Sequence, residues 1–259
     1  MARSAFRSVA LGFSLTEVLL RFCVLRWKHR DSLTLQQRAQ WLHEACALIL
    51  RRLAMLVSSS GSLPESGLIV SNHLSYLDIL FYAAVMPCIF VSKSEVLSWP
   101  VFGLLARCGG TIFVRRDRAA SVDEVSSRMH EALAAGIPIV LFPEGTSTDG
   151  SKVLPFYTAL FEPAVQLGAP ISSAAIAYTL DDAIEADLCY YGHITFFPHL
   201  LNTLGQKGIN GRIQIEPGGT AFENRKIAAR QTWERVVSAR RTIAQTQTDT
   251  HSQTHAQPQ

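Results

Sequence analysis

The side chains best suited to proton transfer in this sequence are a histidine and an aspartate five residues apart, His73 and Asp78. The apolar run Leu68–Val70 predicts a short buried strand before them, and residues 79–85 predict a helix after them with Ser75 as its N-cap. A carboxylate bonded to one imidazole nitrogen fixes the tautomer and leaves the other nitrogen as a base. The pair therefore predicts general-base chemistry if Asp78 reaches back from the first helical turn. The alternative is a capping histidine beside a solvated aspartate.

Three further stretches place functional residues at the ends of predicted strands. One strand ends at Arg115 and Arg116, and arginine forms bidentate hydrogen bonds with phosphate or carboxylate. Another ends in the turn Phe142–Thr146, whose proline and glycine bend the chain around Glu144. The alternatives are a solvated basic strand end and a solvated turn glutamate. In the third stretch Pro170 begins a strand, and we expect it to shape a pocket wall.

The body of the chain alternates strand and helix patterns, which predicts an α/β fold. Helices are predicted at Val101–Arg107, Ser121–Ala135, Thr158–Leu167 and Asn224–Ala244. Strands are predicted at Leu68–Val70, Cys88–Val91, Thr111–Val114, Ile137–Phe142, Ile171–Tyr178 and Arg212–Ile215.

Two amphipathic helices are predicted before this body. The stretch Val9–Leu25 is almost continuously apolar, but Glu17 and Arg21 interrupt it too early for the roughly 20 apolar residues that span a bilayer. Residues 35–56 follow an apolar helical face. We expect the two helices to form a hairpin in the membrane interface. The alternative is that they only pack on the body.

The predicted organisation has three parts. The helical hairpin occupies residues 1–60, and the serine-rich stretch Ser58–Ser62 predicts a hinge. The α/β domain occupies residues 61–244. The tail, residues 245–259, is rich in Gln, Thr and His, lacks apolar periodicity and is predicted to be disordered.

The amino-acid composition indicates the size of the core, the state of the cysteines and the kind of partner that the protein binds. The 259 residues are 48% hydrophobic, enough for one sizeable core, and the five cysteines lack metal-binding spacing and indicate reduced thiols. The first 60 residues carry nine Lys or Arg against three Asp or Glu, whereas the remainder has a net charge of −3. A basic, apolar N-terminal arm favours anionic lipid over nucleic acid as a partner.

Together the four stretches resemble the sequence blocks of the glycerolipid acyltransferase family, which includes bacterial 1-acylglycerol-3-phosphate acyltransferases. The resemblance covers about residues 65–220. The family's N-H-x-x-x-x-D block is matched by Asn72, His73 and Asp78, its G-x-x-F-[IV]-x-R block by Gly110, Phe113, Val114 and Arg116, its F-P-E-G-T block by Phe142–Thr146, and its proline block by Pro170.

The resemblance implies a fold, a reaction and a set of roles. The fold is a mixed α/β sheet flanked by helices, with an N-terminal membrane motif. The reaction moves an acyl group from acyl-CoA or acyl-carrier protein to a lysolipid hydroxyl, with 1-acylglycerol-3-phosphate as the first expectation. It uses neither cofactor nor metal, and its site is the cytoplasmic face of the inner membrane. The catalytic residues are His73 and Asp78, and the substrate-binding residues are Asn72, Arg115, Arg116, Glu144, Gly145, Thr146 and Pro170.

One residue departs from the family pattern. Members that act on lysophosphatidic acid commonly carry Arg or Lys directly after F-P-E-G-T, where this chain has Ser147. A phosphate-binding cation is then missing unless Arg115, Lys152 or Lys93 replaces it. The alternative acceptor is another lysolipid, such as lyso-ornithine lipid. Two alternatives from other classes are a catalytically inactive lysolipid-binding protein and a metal-dependent hydrolase that uses His73, Asp78 and Glu144.

Overall fold

The fold is built on one mixed sheet. The computed structural model describes residues 2–30, 32–99, 101–114 and 120–254. In the described chain seven strands form the order β1-β7-β6-β2-β5-β3-β4, with β6 and β7 antiparallel and the other neighbours parallel. This confirms the predicted α/β class. The strands are β1 (Leu56–Ser60), β2 (Leu68–Ser71), β3 (Ile89–Lys93), β4 (Ile112–Val114), β5 (Ile139–Leu141), β6 (Ile171–Thr179) and β7 (Asn210–Ile215).

Helices cover both faces of the sheet. One core joins α1, α2, α3 and α7 to the first face, and the other joins α5, α6 and α8 to the opposite face. Side chains of β2 alternate between these cores, with Ile69 in one and Leu68 and Val70 in the other. The helices are α1 (Ala2–Lys28), α2 (Leu35–Arg52), α3 (Leu77–Val85), α4 (Phe102–Cys108), α5 (Ala120–Ala134), α6 (Glu162–Gln166), α7 (Phe196–Gly205) and α8 (Arg225–Thr254).

Strand β2 positions the candidate site. All four of its residues are buried, and it pairs in parallel with β5 on one side and β6 on the other. A strand covered on both faces and both edges reads as a continuous apolar run, which explains why the sequence revealed it. Its carboxyl end delivers Asn72 and His73 to the edge of the sheet, where α/β proteins commonly carry their sites.

The first helix, α1, packs against the body with one face and exposes an apolar face on the other side. The buried face holds Arg7, Leu11, Ser14, Val18 and Phe22. At roughly 100° per residue the exposed large apolar residues all fall within a sector of about 60° opposite it. By length and composition alone α1 is apolar enough to cross a membrane, more than its interruptions led us to expect. These exposed residues are Phe6, Val9, Phe13, Leu20, Val24 and Trp27.

The structure differs from the sequence predictions at three places. The predicted hinge at Ser58–Ser62 is wrong, since β1 extends to Ser60 and pairs in parallel with β7. This edge strand is exposed and polar, so it lacks the alternation that identifies a strand. Helix α7 was missed because Pro198 lies inside it, although in its first turn, where proline is tolerated. Helix α8 continues to Thr254, into the stretch predicted to be a disordered tail.

Candidate active site

The predicted pair His73 and Asp78 is joined directly. The distance from His73 Nδ1 to Asp78 Oδ2 is 2.7 Å, and the same oxygen accepts the backbone N–H groups of Leu74 at 2.7 Å and Ser75 at 3.2 Å. Asp78 is fully buried in the first turn of α3 and reaches back to the loop, as predicted. The Ser75 N-cap prediction is wrong, because the N-cap position is Tyr76 and the carboxylate of Asp78 occupies the loop donors instead.

This bond sets the tautomer of His73. A carboxylate only accepts hydrogen bonds, so the proton of the neutral ring resides on Nδ1 and the lone pair on Nε2. The ring stacks on Phe142, with centroids 4.3 Å apart and planes inclined by 15°. The side chain keeps 21% of its surface accessible and lines a cavity. His73 therefore presents an oriented basic nitrogen to that cavity.

Glu144 is hydrogen-bonded to the loop that carries His73. Its Oε1 accepts the backbone N–H of His73 at 2.7 Å, and its Oε2 accepts that of Leu154 at 2.6 Å. Only 2% of the residue is exposed. Burial raises the pKa of Glu144 to about 7, while its two backbone hydrogen bonds and the nearby His73 oppose the shift and favour the anion. The carboxylate of Glu144 therefore fixes the backbone of His73, and its contact with substrate stays a prediction.

The turn that carries Glu144 depends on a glycine. Gly145 has a φ of 67°, in the left-handed region that a side chain disfavours. Gly145 and Thr146, both predicted to bind substrate, line the cavity beside His73. The backbone N–H of Thr148 donates to the His73 carbonyl at 3.0 Å. The loop that follows the Glu144 turn is therefore bonded to the loop that carries His73.

Asn72 and Pro170 do not line the cavity beside His73. The buried side chain of Asn72 donates to the carbonyl of Ile176 and accepts its N–H, at 3.0 and 2.9 Å, which bonds the end of β2 to β6. Pro170 precedes β6 and accepts the N–H of Leu68 at the amino end of β2. At about 3.3 Å per strand residue that is about 10 Å from the carboxyl end of β2. Neither residue lines the cavity beside His73, and a substrate contact of either one stays a prediction.

Arg115 and Arg116 lie outside the described residues. Their strand, β4, ends at Val114, which lines the same cavity. Lys93, named in the sequence analysis as a replacement cation, also lines the cavity from the end of β3. The described part of the cavity wall thus includes one lysine, Lys93, from a strand that β5 separates from β2 in the sheet.

The cavity beside His73 is large and mainly apolar. It has a volume of about 410 Å³ and extends from His73 and Gly145 beneath α2 to α1. Such a shape suits a long hydrocarbon chain whose reactive end meets the histidine. Its apolar wall includes Leu11, Leu15, Trp41, Ile49, Leu80 and Phe90.

Ser147 lies in the wall of this cavity. Its hydroxyl donates a hydrogen bond to the carbonyl of Tyr190. This bond joins the turn that carries Glu144 to the segment between β6 and α7, which contains Tyr190. Tyr190 and Tyr191 line the cavity from that segment. Ser147 therefore links two loops through an uncharged hydrogen bond. In the family pattern described above, this position commonly carries Arg or Lys.

The donor set does not fit a metal centre. Both oxygens of Asp78 and both oxygens of Glu144 already accept hydrogen bonds from protein N–H or O–H groups. Among the described residues no group of three or more His, Cys, Asp or Glu side chains is placed to hold an ion. The geometry favours an oriented base over the metal-dependent hydrolase alternative.

Sequence reasoning missed the partner of Asp78 Oδ1, which is the hydroxyl of Tyr178 in β6. The two residues are 100 positions apart in the chain. In the sequence Tyr178 looks like an ordinary residue of a buried strand, so no local signal identifies it.

Comparison with known proteins places these features in a family. The model of the Acyltransferase family matches residues 56–177. The lyso-ornithine lipid O-acyltransferase of Pseudomonas aeruginosa is 34% identical over 212 residues, which cover 80% of this chain and 78% of that one. The 1-acyl-sn-glycerol-3-phosphate acyltransferase of Neisseria gonorrhoeae is 36% identical over 115 residues, 44% of this chain and 45% of that one.

A solved structure shares the fold. The crystal structure of the 1-acyl-sn-glycerophosphate acyltransferase of Thermotoga maritima matches with a TM-score of 0.67, over 94% of this chain and 97% of that one. The sequence identity is 19%, so this likeness concerns the fold.

Proposed function

The chain belongs to the acyltransferase family, and we propose that it transfers a fatty acyl group from a thioester to the hydroxyl of a lysolipid. The observation that carries this proposal is the His73–Asp78 pair at the edge of an apolar cavity. A base beside a polar pocket suits many hydrolases, whereas a base at the end of a hydrocarbon-shaped cavity suits an acyl substrate.

In the proposed reaction His73 Nε2 takes the proton of the acceptor hydroxyl as its oxygen attacks the thioester carbonyl carbon. Asp78 stabilises the imidazolium that forms, through its bond to Nδ1. The tetrahedral intermediate then expels the thiolate, and His73 returns the proton to sulfur. The products are an ester and a free thiol. Because a thioester is already activated, the reaction as written uses neither metal nor cofactor, and acyl-CoA or acyl-carrier protein serves as donor.

Two acceptors fit this reaction. The first is 1-acylglycerol-3-phosphate, which the sequence blocks favour and on which the Neisseria relative acts by name. The second is lyso-ornithine lipid, the acceptor named for the Pseudomonas relative that matches most of both chains. Ser147 favours the second, because its hydroxyl is bonded to the Tyr190 carbonyl and supplies no positive charge for a phosphate.

A panel of lysolipid acceptors in micelles tests the proposal. We expect the purified protein to acylate lysolipid with acyl-CoA or acyl-carrier protein, with the highest kcat/KM for lyso-ornithine lipid over 1-acylglycerol-3-phosphate and lysophosphatidylethanolamine. Protein with His73→Ala supplies the background rate. The highest kcat/KM for 1-acylglycerol-3-phosphate would support the first acceptor instead. Tight binding of lysolipid without any transfer would support the inactive lysolipid-binding protein.

We propose that the protein docks on a lipid surface with its exposed apolar side. Helices α1 and α7 lie together there, and the Ser4 hydroxyl of α1 donates to the Leu201 carbonyl of α7 at 3.0 Å. Phe197 and Leu201 of α7 are 59% and 53% exposed, beside the exposed stripe of α1. Exposed bases flank α1 at both ends, which suits anionic head groups at the cytoplasmic face of a membrane: Arg3, Arg26, Lys28 and Arg30.

Removing apolar side chains from this surface is expected to weaken membrane binding. Phe13 of α1 is 70% exposed, and burial of one phenylalanine is worth about 1.5–3 kcal/mol. The double variant Phe13→Asp/Phe197→Asp should therefore lower partitioning into phosphatidylglycerol vesicles by at least about ten-fold, as measured by cosedimentation. The matched control is Ile227→Asp, at an exposed apolar residue of α8 on the opposite face of the sheet. Equal partitioning of both variants would contradict this docking mode.

A further inference from the structure

Tyr178 contacts the catalytic pair from the side opposite the substrate cavity. It lies near the end of β6, is 1% exposed, and donates its hydroxyl proton to Asp78 Oδ1. The other oxygen of Asp78, Oδ2, accepts from His73 and from two backbone N–H groups. The two oxygens thus have separate tasks, and Tyr178 occupies the one that does not face the histidine.

The hydroxyl of Tyr178 is held in place by its surroundings. The backbone N–H of Tyr178 donates to Glu185 Oε1 at 2.7 Å, and Arg240 of α8 donates to the same oxygen at 3.0 Å. The ring packs beside Phe81 with centroids 5.6 Å apart. Burial raises the pKa of the Tyr178 phenol far above its ordinary value, so the group remains a neutral donor. The direction of the Tyr178 hydroxyl is set by strand β6, by the ion pair between Arg240 and Glu185, and by the packing of the ring beside Phe81.

A buried carboxylate needs donors on both oxygens. Without the phenol, Asp78 Oδ1 loses this donor inside a dry core, where an unsatisfied charged oxygen is costly. The carboxylate then gains by rotating or by sharing a proton, and either change disturbs the bond from Oδ2 to His73. The tyrosine therefore controls the orientation of an aspartate that in turn orients the base.

We propose that Tyr178 is a positioning residue of the acyl-transfer site, which keeps the Asp78 carboxylate aligned on His73. This inference rests on the proposed function for its kinetic consequence. It predicts a defect in the chemical step and not in substrate binding, because Tyr178 lies behind Asp78 and is absent from the cavity wall.

The test compares two buried tyrosines. Tyr82 is fully buried in α3, and its hydroxyl donates to Ser71 Oγ at 2.7 Å instead of to the catalytic pair. We expect Tyr178→Phe to lower kcat about ten-fold, the effect of one hydrogen bond to a charged group, with KM changed less than about two-fold. Tyr82→Phe, which removes the same atom from a similar environment, should keep kcat within about two-fold of wild type.

A spectroscopic readout separates positioning from activity. The Nδ1–H proton of His73 bonded to Asp78 gives a far-downfield resonance in proton NMR, assigned by its loss in His73→Ala. We expect this resonance to move or broaden in Tyr178→Phe and to stay in place in Tyr82→Phe. If Tyr178→Phe does not fold, 3-fluorotyrosine at position 178 retains the shape and strengthens the donor, and the resonance should still move.

The outcomes are distinct. An unmoved resonance, or equal kinetic losses in the two phenylalanine variants, would overturn the positioning role of Tyr178. A wild-type protein that transfers no acyl group to any lysolipid would overturn the proposed function, while the resonance would still report whether Tyr178 aligns Asp78 on His73.

Discussion

Replacing His73 by alanine is expected to reduce kcat for acyl transfer by about 10²–10⁴-fold, the contribution of one general base. His73 lines the cavity with its ring, and Asp78 occupies Nδ1, so the substitution removes the nitrogen that accepts the hydroxyl proton. The protein should remain folded, because 21% of the side chain is accessible and its main backbone contacts persist. The measurement is initial-rate kinetics with labelled acyl donor, together with circular dichroism of both proteins.

A second histidine provides the control for this variant. His43 of α2 bonds to the Ala83 carbonyl through Nδ1 at 2.7 Å and does not line the cavity. His43→Ala loses a comparable ring and hydrogen bond, and we expect its kcat to stay within about three-fold of wild type. Near-normal turnover in His73→Ala would contradict the proposed mechanism, and equal losses in both variants would show that the defect is structural.

The hydrogen-bonded pair His73 and Asp78 was predictable because its determinants are local. The run Leu68–Val70 and the helix after it are encoded by neighbouring residues, and five positions separate His73 from Asp78. The strand and helix therefore fix which way the loop turns between them. The same local logic identified the turn around Glu144, where Pro143 and Gly145 restrict the backbone.

The hydrogen bonds that hold the loop around His73 were not predictable, since their partners come from distant parts of the chain. Glu144 bonds to the His73 backbone across 71 positions, and Asn72 bonds to Ile176 across 104. These contacts depend on the neighbours that β2 acquires in the sheet, which the periodicity of a single segment does not specify. A buried side chain that holds backbone and one that holds substrate look alike in a sequence motif.

The orientation of α1 shows the same limit. Its pattern indicates that two faces exist but not which one packs on the body. The structure buries Arg7, whose guanidinium donates to the Gln206 carbonyl at 2.7 Å and to the Ala54 carbonyl at 3.3 Å. Arg7 thereby satisfies backbone carbonyls of the body, and the exposed apolar stripe of α1 is left outside. Arg7 therefore marks the inner face of α1, whereas Arg3 and Arg26 of the same helix are exposed.

Replacing Glu144 by glutamine is expected to loosen the loop that carries His73. Each oxygen of Glu144 accepts one backbone N–H, from His73 and from Leu154. A glutamine side chain has a single acceptor oxygen, and its amide nitrogen would meet the second N–H donor to donor. One buried N–H left unpaired costs about 1–3 kcal/mol. We expect a lower free energy of unfolding by that amount and a kcat lower by on the order of ten- to a hundred-fold.

The pH dependence of stability identifies the cause. Burial raises the pKa of Glu144 from its ordinary 4.5 to about 7. Between those two values the folded protein keeps a proton that the unfolded chain releases, so this contribution is full below about pH 4.5 and is lost as the pH rises through 7. The loss is on the order of 3 kcal/mol. Glutamine does not titrate, so Glu144→Gln should lack this part of the pH dependence.

Denaturant unfolding in detergent at pH 5 and pH 8 measures both effects. Wild type should lose more unfolding free energy between these pH values than Glu144→Gln, by on the order of 3 kcal/mol. The matched control is Glu131→Gln, at an exposed glutamate of α5, which should behave as wild type does. If Glu144→Gln retained both the activity and the pH dependence of wild type, the carboxylate would not hold the His73 backbone. A loss of activity with an unchanged pH dependence would favour a contact between Glu144 and substrate, because desolvation of the carboxyl group in the core is the largest cause of its raised pKa.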